Sequence, residues 1–136
     1  MSAVKELIRT NENGTLSFGD FELSQKSKVS DFRHQGDLYK VKTFQEITKL
    51  ERNGMFVYES VPGTAVFDLR QDAEEMSFRV EGPKDAQITV EMEADTEYSV
   101  VIDGSDEGRM RTNLGGKLSF SVELENREPV SVVIRR

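Results

Sequence analysis

The chain has 136 residues, no cysteine, no tryptophan and a formal net charge of −7. That length suits one ordinary domain, or one domain with a smaller companion, able to bury a core without covalent staples. The missing thiols exclude disulfides, cysteine nucleophiles and Cys-ligated zinc or iron sites, and the acidic balance works against nucleic acid, which demands clustered Lys and Arg over phosphates.

Met1 to Arg9 is charged at Lys5, Glu6 and Arg9 and holds no apolar run of the kind a signal peptide needs, so a cytoplasmic location is expected. No stretch approaches the ~20 apolar residues that cross a bilayer, and no membrane partner is expected. Asn13-Gly14 separates Glu6 to Asn11 from Thr15 to Phe18, Gly19-Asp20 leads into Phe21-Glu22-Leu23, and two or three short strands fit this region. Ser24 to Gly36 is polar and reads as a loop anchored by Val29 and Phe32, after which Gly36-Asp37 opens a strand from Leu38 to Lys42.

Residues 43–52 admit two readings. Thr43-Phe44-Gln45-Glu46 matches a capping box, with Phe44, Ile47 and Leu50 at helical spacing. Against this, Asn53-Gly54 is a strong two-residue hairpin signal, and Met55 to Tyr58 is strand-like, so Glu46 to Arg52 can pair back on it. The hairpin is preferred. Pro62-Gly63 marks a turn and a boundary between residues 1–60, a smaller β-rich unit, and residues 61–136. Charge divides at nearly the same place: residues 1–59 hold nine basic and nine acidic side chains, residues 60–136 nine and sixteen.

Beyond that boundary, after a strand from Thr64 to Leu69, apolar residues alternate in five runs: Met76/Phe78/Val80, Ile88/Val90/Met92, Tyr98/Val100/Ile102, Leu118 to Leu124 and Val130/Val132/Ile134. A period of two places one face of each run in a shared core and the other in water. Turn residues recur every 8 to 14 positions. The expected fold class is all-β: an immunoglobulin-like β-sandwich over 61–136 with the smaller unit packed against it.

Chemistry-bearing patterns are sparse. His34, beside Arg33 and Gln35, reads as a solvated surface histidine, because no Gly-x-Ser-x-Gly elbow accompanies it. Asp103 to Gly108 has the oxygen-rich start of a calcium loop but Leu114 where the terminal glutamate belongs, so it reads as an acidic turn. No metal and no cofactor are expected. Carboxylate pairs such as Glu74/Glu75 and Glu91/Glu93 are common enough in so acidic a chain to arise by chance. The ligand-binding candidates are Arg109 and Arg111, which flank Met110 and can clamp an anion from one strand face, and the aromatics Tyr39, Phe56 and Tyr58. The final strand, with Val133 on the face opposite Val132, looks like an open edge with Arg135-Arg136 as gatekeepers. A homo-oligomer buried through apolar residues of 38–58, such as Tyr39, Phe56 and Tyr58, is the expected assembly.

Two resemblances accompany these patterns. Tyr98 to Gly104 followed by Arg111 to Leu124 resembles the closing strands of small immunoglobulin-like modules appended to bacterial polysaccharide-active enzymes. Lys5 to Arg9, Ile47 to Glu51 and Val57 to Thr64 resemble a set of uncharacterised bacterial proteins that share the label endosialidase. The second resemblance implies a shared accessory region and transfers no catalytic residue. Together the residues and resemblances lead to a non-catalytic binding or assembly module with a carbohydrate or protein partner. The alternative is a sialidase-related, carbohydrate-processing enzyme or a sugar-binding accessory.

Overall fold

A computed structural model describes residues 3–136. It is built of thirteen strands: β1 (Ile8–Thr10), β2 (Leu16–Phe18), β3 (Ser27–His34), β4 (Asp37–Phe44), β5 (Ile47–Arg52), β6 (Met55–Val61), β7 (Ala65–Gln71), β8 (Glu75–Glu81), β9 (Ala86–Glu91), β10 (Glu97–Ile102), β11 (Ser105–Arg111), β12 (Lys117–Val122) and β13 (Val130–Arg135). They form two antiparallel sheets, a seven-stranded one ordered β1-β2-β7-β8-β13-β10-β11 and a six-stranded one ordered β12-β9-β6-β5-β4-β3. The expected β-sandwich is what the chain builds. No helix among the described residues is long and apolar enough to cross a membrane.

The alternating runs became β8, β9, β10, β12 and β13, each with its apolar set turned inward. The preferred hairpin is present as β5 and β6, joined at Asn53 and Gly54, both at positive φ (53° and 80°), the left-handed pair that such a two-residue connection requires. Three expectations need correcting. Ser24 to Gly36 contains β3 rather than a loop: the strand bulges between Val29 and Phe32, with Asp31 at φ 57°, which breaks the alternation that would have revealed it. Phe21 to Leu23 is not a strand. Finally, β13 is no edge, because it lies between β8 and β10 in the middle of its sheet.

Residues 1–60 and 61–136 share both sheets: β2 pairs with β7, and β6 pairs with β9. The inner faces meet in one core, where Tyr58 of β6 packs edge-on against Phe18 and Phe78 of the other sheet, with ring centroids 5.3 and 5.7 Å away. Such pairs add about 0.5–1.5 kcal/mol each beyond simple burial.

At one end the sandwich is sealed by hydroxyl groups. Thr43, Thr48, Ser60 and Thr64 are fully buried. Thr43 and Thr48 share a hydrogen bond of 2.8 Å, Thr48 Oγ1 donates to the Thr64 carbonyl at 2.8 Å, and Thr64 Oγ1 lies 2.8 Å from the Tyr58 hydroxyl and 2.7 Å from Ser60 Oγ. The Asp20 N–H donates to Thr43 Oγ1 at 2.9 Å. The chain crosses between sheets here, from β6 to β7, and the crossing is tight enough that a Cβ on Gly63 would lie 2.0 Å from the Phe44 carbonyl oxygen.

Candidate functional site

The opposite end is open. The β3–β4 turn at Gln35-Gly36 and the β5–β6 turn at Asn53-Gly54 fall at the same end because the four strands form a meander. They bring His34 and Asp37, a cross-strand pair, beside Tyr39 and Arg52. From the other sheet β7 supplies Arg70 and Gln71, and the β1–β2 turn supplies Asn13 to Thr15. Between them lies a cleft of about 360 Å³ with Leu16, Val57 and Leu69 among its lining residues.

Three contacts tie the sheets together around it. His34 Nδ1 and Thr10 Oγ1 are 2.8 Å apart, Gln35 Nε2 donates to the Gly14 carbonyl at 2.8 Å, and Arg52 Nη1 reaches Gln71 Oε1 at 3.4 Å. Past the Arg52–Gln71 contact a second compartment of about 310 Å³ continues between the start of β6 and the β7–β8 turn, bordered by Phe56, Asp72, Glu91 and Glu93.

The electrostatics of the cleft are mixed. His34 is 7% exposed, so it is not the solvated histidine expected from its polar neighbours. Burial lowers its affinity for a proton, and the nearby Asp37 carboxylate only partly opposes this. Asp37 accepts a hydrogen bond from Asn53 Nδ2 at 2.9 Å, which holds the carboxylate at the rim. Among the described residues neither Arg52 nor Arg70 forms an ion pair, whereas Arg79, Arg109, Arg111, Arg127 and Arg135 each meet a carboxylate within 3.3 Å.

The candidates named from the sequence scatter. Tyr39 is 8% exposed and lines the first compartment, with its ring edge-on to His34 at 5.6 Å between centroids. Phe56 borders the second, half-buried beneath Lys117, whose Nζ is 4.7 Å from the ring centroid. Tyr58 is wholly enclosed in the core, because the irregular register between β5 and β6 turns both Val57 and Tyr58 inward. Tyr39 and Tyr58 therefore have little or no surface to offer a partner chain. Arg109 and Arg111 share a face of β11 remote from the cleft and are occupied by Glu97 and Asp95: Arg109 Nε is 3.3 Å from Glu97 and Arg111 Nη1 is 3.2 Å from Asp95. Exposed pairs of this kind contribute at most about 1 kcal/mol. The acidic segment 103–108 turns at Asp103-Gly104, and its remainder belongs to β11. Among the described residues no three His, Asp or Glu side chains converge as a metal-binding group.

His34, Asp37, Arg52, Arg70 and Gln71 were not singled out as a binding set. Their signal is topological: in a four-strand meander alternate turns share an end, so residues flanking Gln35-Gly36 and Asn53-Gly54 must converge. Recognising this requires β3 to be assigned first. Comparison with protein-family models, curated proteins and solved structures finds no match to this chain.

Proposed function

We propose that the protein is a non-catalytic binding module whose end cleft holds a small polar ligand bearing an anionic group. The observation that carries this reading is the pair of guanidinium groups, Arg52 and Arg70, that line one cleft with no carboxylate among the described residues ion-paired to either, whereas Arg79, Arg109 and Arg111 on the outer faces are each held by one. Guanidinium is suited to carboxylate or phosphate, since its planar donors match two oxygens at once. Tyr39, Gln71 and Asp37 add hydrogen-bonding groups for hydroxyls, and the volume suits a ligand of a few to about a dozen heavy atoms, near the lower bound for small-molecule sites.

Two-dimensional NMR with inorganic phosphate, sulfate and acidic monosaccharides is the test. Shifts confined to residues 34–39, 52–57 and 69–71, saturable and abolished by Arg52→Ala with Arg70→Ala, support the reading. Turnover of a sialoside substrate lost in His34→Gln overturns it in favour of a carbohydrate-processing enzyme.

A further inference from the structure

Each sheet has two edges, and three of the four are blunted. β1 is three residues long and is tied across to β3 by Thr10 and His34. β3 is bulged and carries Lys28 and Arg33. β11 is bulged against β10, passes through Gly108 at φ 96° and exposes Asp106, Glu107, Arg109 and Arg111. Bulges, charges and short length are what keep an edge from pairing with other chains. β12 lacks these devices apart from a lysine at its start. It pairs with β9 in unbroken register from Lys117↔Glu91 to Val122↔Ala86, and its outward residues between Lys117 and Glu123 are the serines 119 and 121.

The direction of its free main-chain groups follows from the hydrogen bonds at its start. Met92 N–H donates to the Gly116 carbonyl at 2.8 Å, so Gly116 faces β9. Lys117 faces away: its carbonyl accepts from the Asn113 N–H at 3.0 Å, and its N–H donates to Asn113 Oδ1 at 2.9 Å. Antiparallel ladders alternate with period two. The N–H and C=O groups of Ser119 and Ser121 therefore also point away from β9, where no strand meets them. Both serines are exposed, and Ser121 borders an open cleft of about 650 Å³ between β11 and β12.

We infer that β12 is a dimerisation edge: a second copy of this chain adds its own β12, antiparallel, about a twofold axis through Phe120, so that the two six-stranded sheets become one. Complementarity selects this register. Ser119 faces the partner's Ser121, and the exposed groups of both close main-chain hydrogen bonds on each side of the axis. Leu118 faces the partner's Val122 on the core side. At the flanks Lys117, which pairs with Glu91 in its own chain, faces the partner's Glu123, which pairs with Arg127, so each end joins two ion pairs of alternating sign with no like charges in direct opposition. Moving the axis to Ser119 sets the partner's Ser121 against Lys117, whose main-chain groups Asn113 already holds. Moving it to Ser121 sets Ser119 against the partner's Glu123, so that main-chain bonds would have to form beyond the end of β12 at Val122, whereas an axis at Phe120 keeps all of them between Ser119 and Ser121.

Sedimentation equilibrium from tens to hundreds of micromolar should give twice the 15.4 kDa chain mass at the upper end. Ser119→Pro removes an N–H that β9 does not use, and proline is tolerated there on an edge strand; it should weaken the dimer more than tenfold while leaving the urea midpoint nearly unchanged. Glu123→Lys sets two lysines against each other and should also weaken association. Ser121→Pro removes the other N–H that β9 does not use and should weaken the dimer to the same degree as Ser119→Pro, because the twofold register makes the two serines partners of each other. A monomer throughout the concentration range, or a dimer indifferent to both Ser119→Pro and Glu123→Lys, overturns the inference.

Discussion

The β3–β6 meander carries polar side chains toward the core at both ends, and the two ends use them in opposite ways. At the sealed end Thr43, Thr48, Ser60 and Thr64 bond to one another and to the chain crossing between sheets, with none left exposed. At the open end His34, Asp37 and Arg52 line a cleft that the two sheets hold apart. A buried group without a partner is penalised by its lost hydration, so a closed hydroxyl network specifies one strand arrangement. Groups whose hydrogen-bonding capacity is unfilled can take a ligand instead. Polarity alone does not separate these roles; satisfaction does.

The sharpest way to break the contrast is through two glycines. Gly63→Ala at the sealed end drives a Cβ to 2.0 Å from a main-chain oxygen, and overpacking against backbone is expected to destabilise by ~3 kcal/mol or more. Gly36→Ala at the open end meets nothing within 4 Å and adds only the strain of a side chain at φ 85°, about 1–2 kcal/mol. Urea unfolding midpoints of the two variants measure the difference, and equal losses would erase it.

Thr64→Val should come next, at about 1–3 kcal/mol, because it strands the Tyr58 and Ser60 hydroxyls. The matching change on the open rim, Thr10→Val, removes a single bond to His34 Nδ1 at a site water can reach and should cost less, about 0.5–1 kcal/mol. The sealed network also has a pH signature. Burial pushes the Tyr58 hydroxyl well above the ordinary tyrosine range, outweighing its bonds to Thr64 and Ser60. The unfolded chain ionises this group near pH 10 and the folded one does not, so its contribution is intact below about pH 10 and is lost as pH rises further. An absorbance titration compared with that of Tyr58→Phe should show that Tyr58 ionises only as the protein unfolds.

The smallest expected effect is at His34, where the sign is reversed. Its folded proton affinity lies below the unfolded value, so its contribution is present above about pH 6.5 and declines as pH falls through that value toward the folded one. NMR titration of the His34 ring should give a midpoint below 6.5, and His34→Gln should flatten the acid limb of the stability profile.

These two ends also account for what could be read in advance. β8, β9, β10, β12 and β13 were legible because half-buried strands with apolar inner faces alternate cleanly. Where the inner face is polar the pattern fails: Thr43, Thr48 and Ser60 occupy core positions yet look like surface residues, and so residues 43–52 supported a helix nearly as well as a strand. Bulges did the rest of the concealing. Asp31 hid β3, and with it the meander that gathers the cleft; the shift beside Leu50 reversed the inference for Tyr58. Arg70 escaped notice because a lone arginine on a strand carries no local mark of being unpaired.

The place of β13 has a consequence for synthesis. It is the sole strand joining β8 to β10, so the seven-stranded sheet exists as two separate pieces, β1-β2-β7-β8 and β10-β11, until residues 130–135 have left the ribosome. During that interval β8 and β10 each carry an unpaired main-chain edge beside an apolar inner face, on a nascent chain that already carries the free edge of β12. Vectorial assembly thus leaves these surfaces exposed while residues 103–129 are being made, a circumstance in which chaperone capture competes with misassociation.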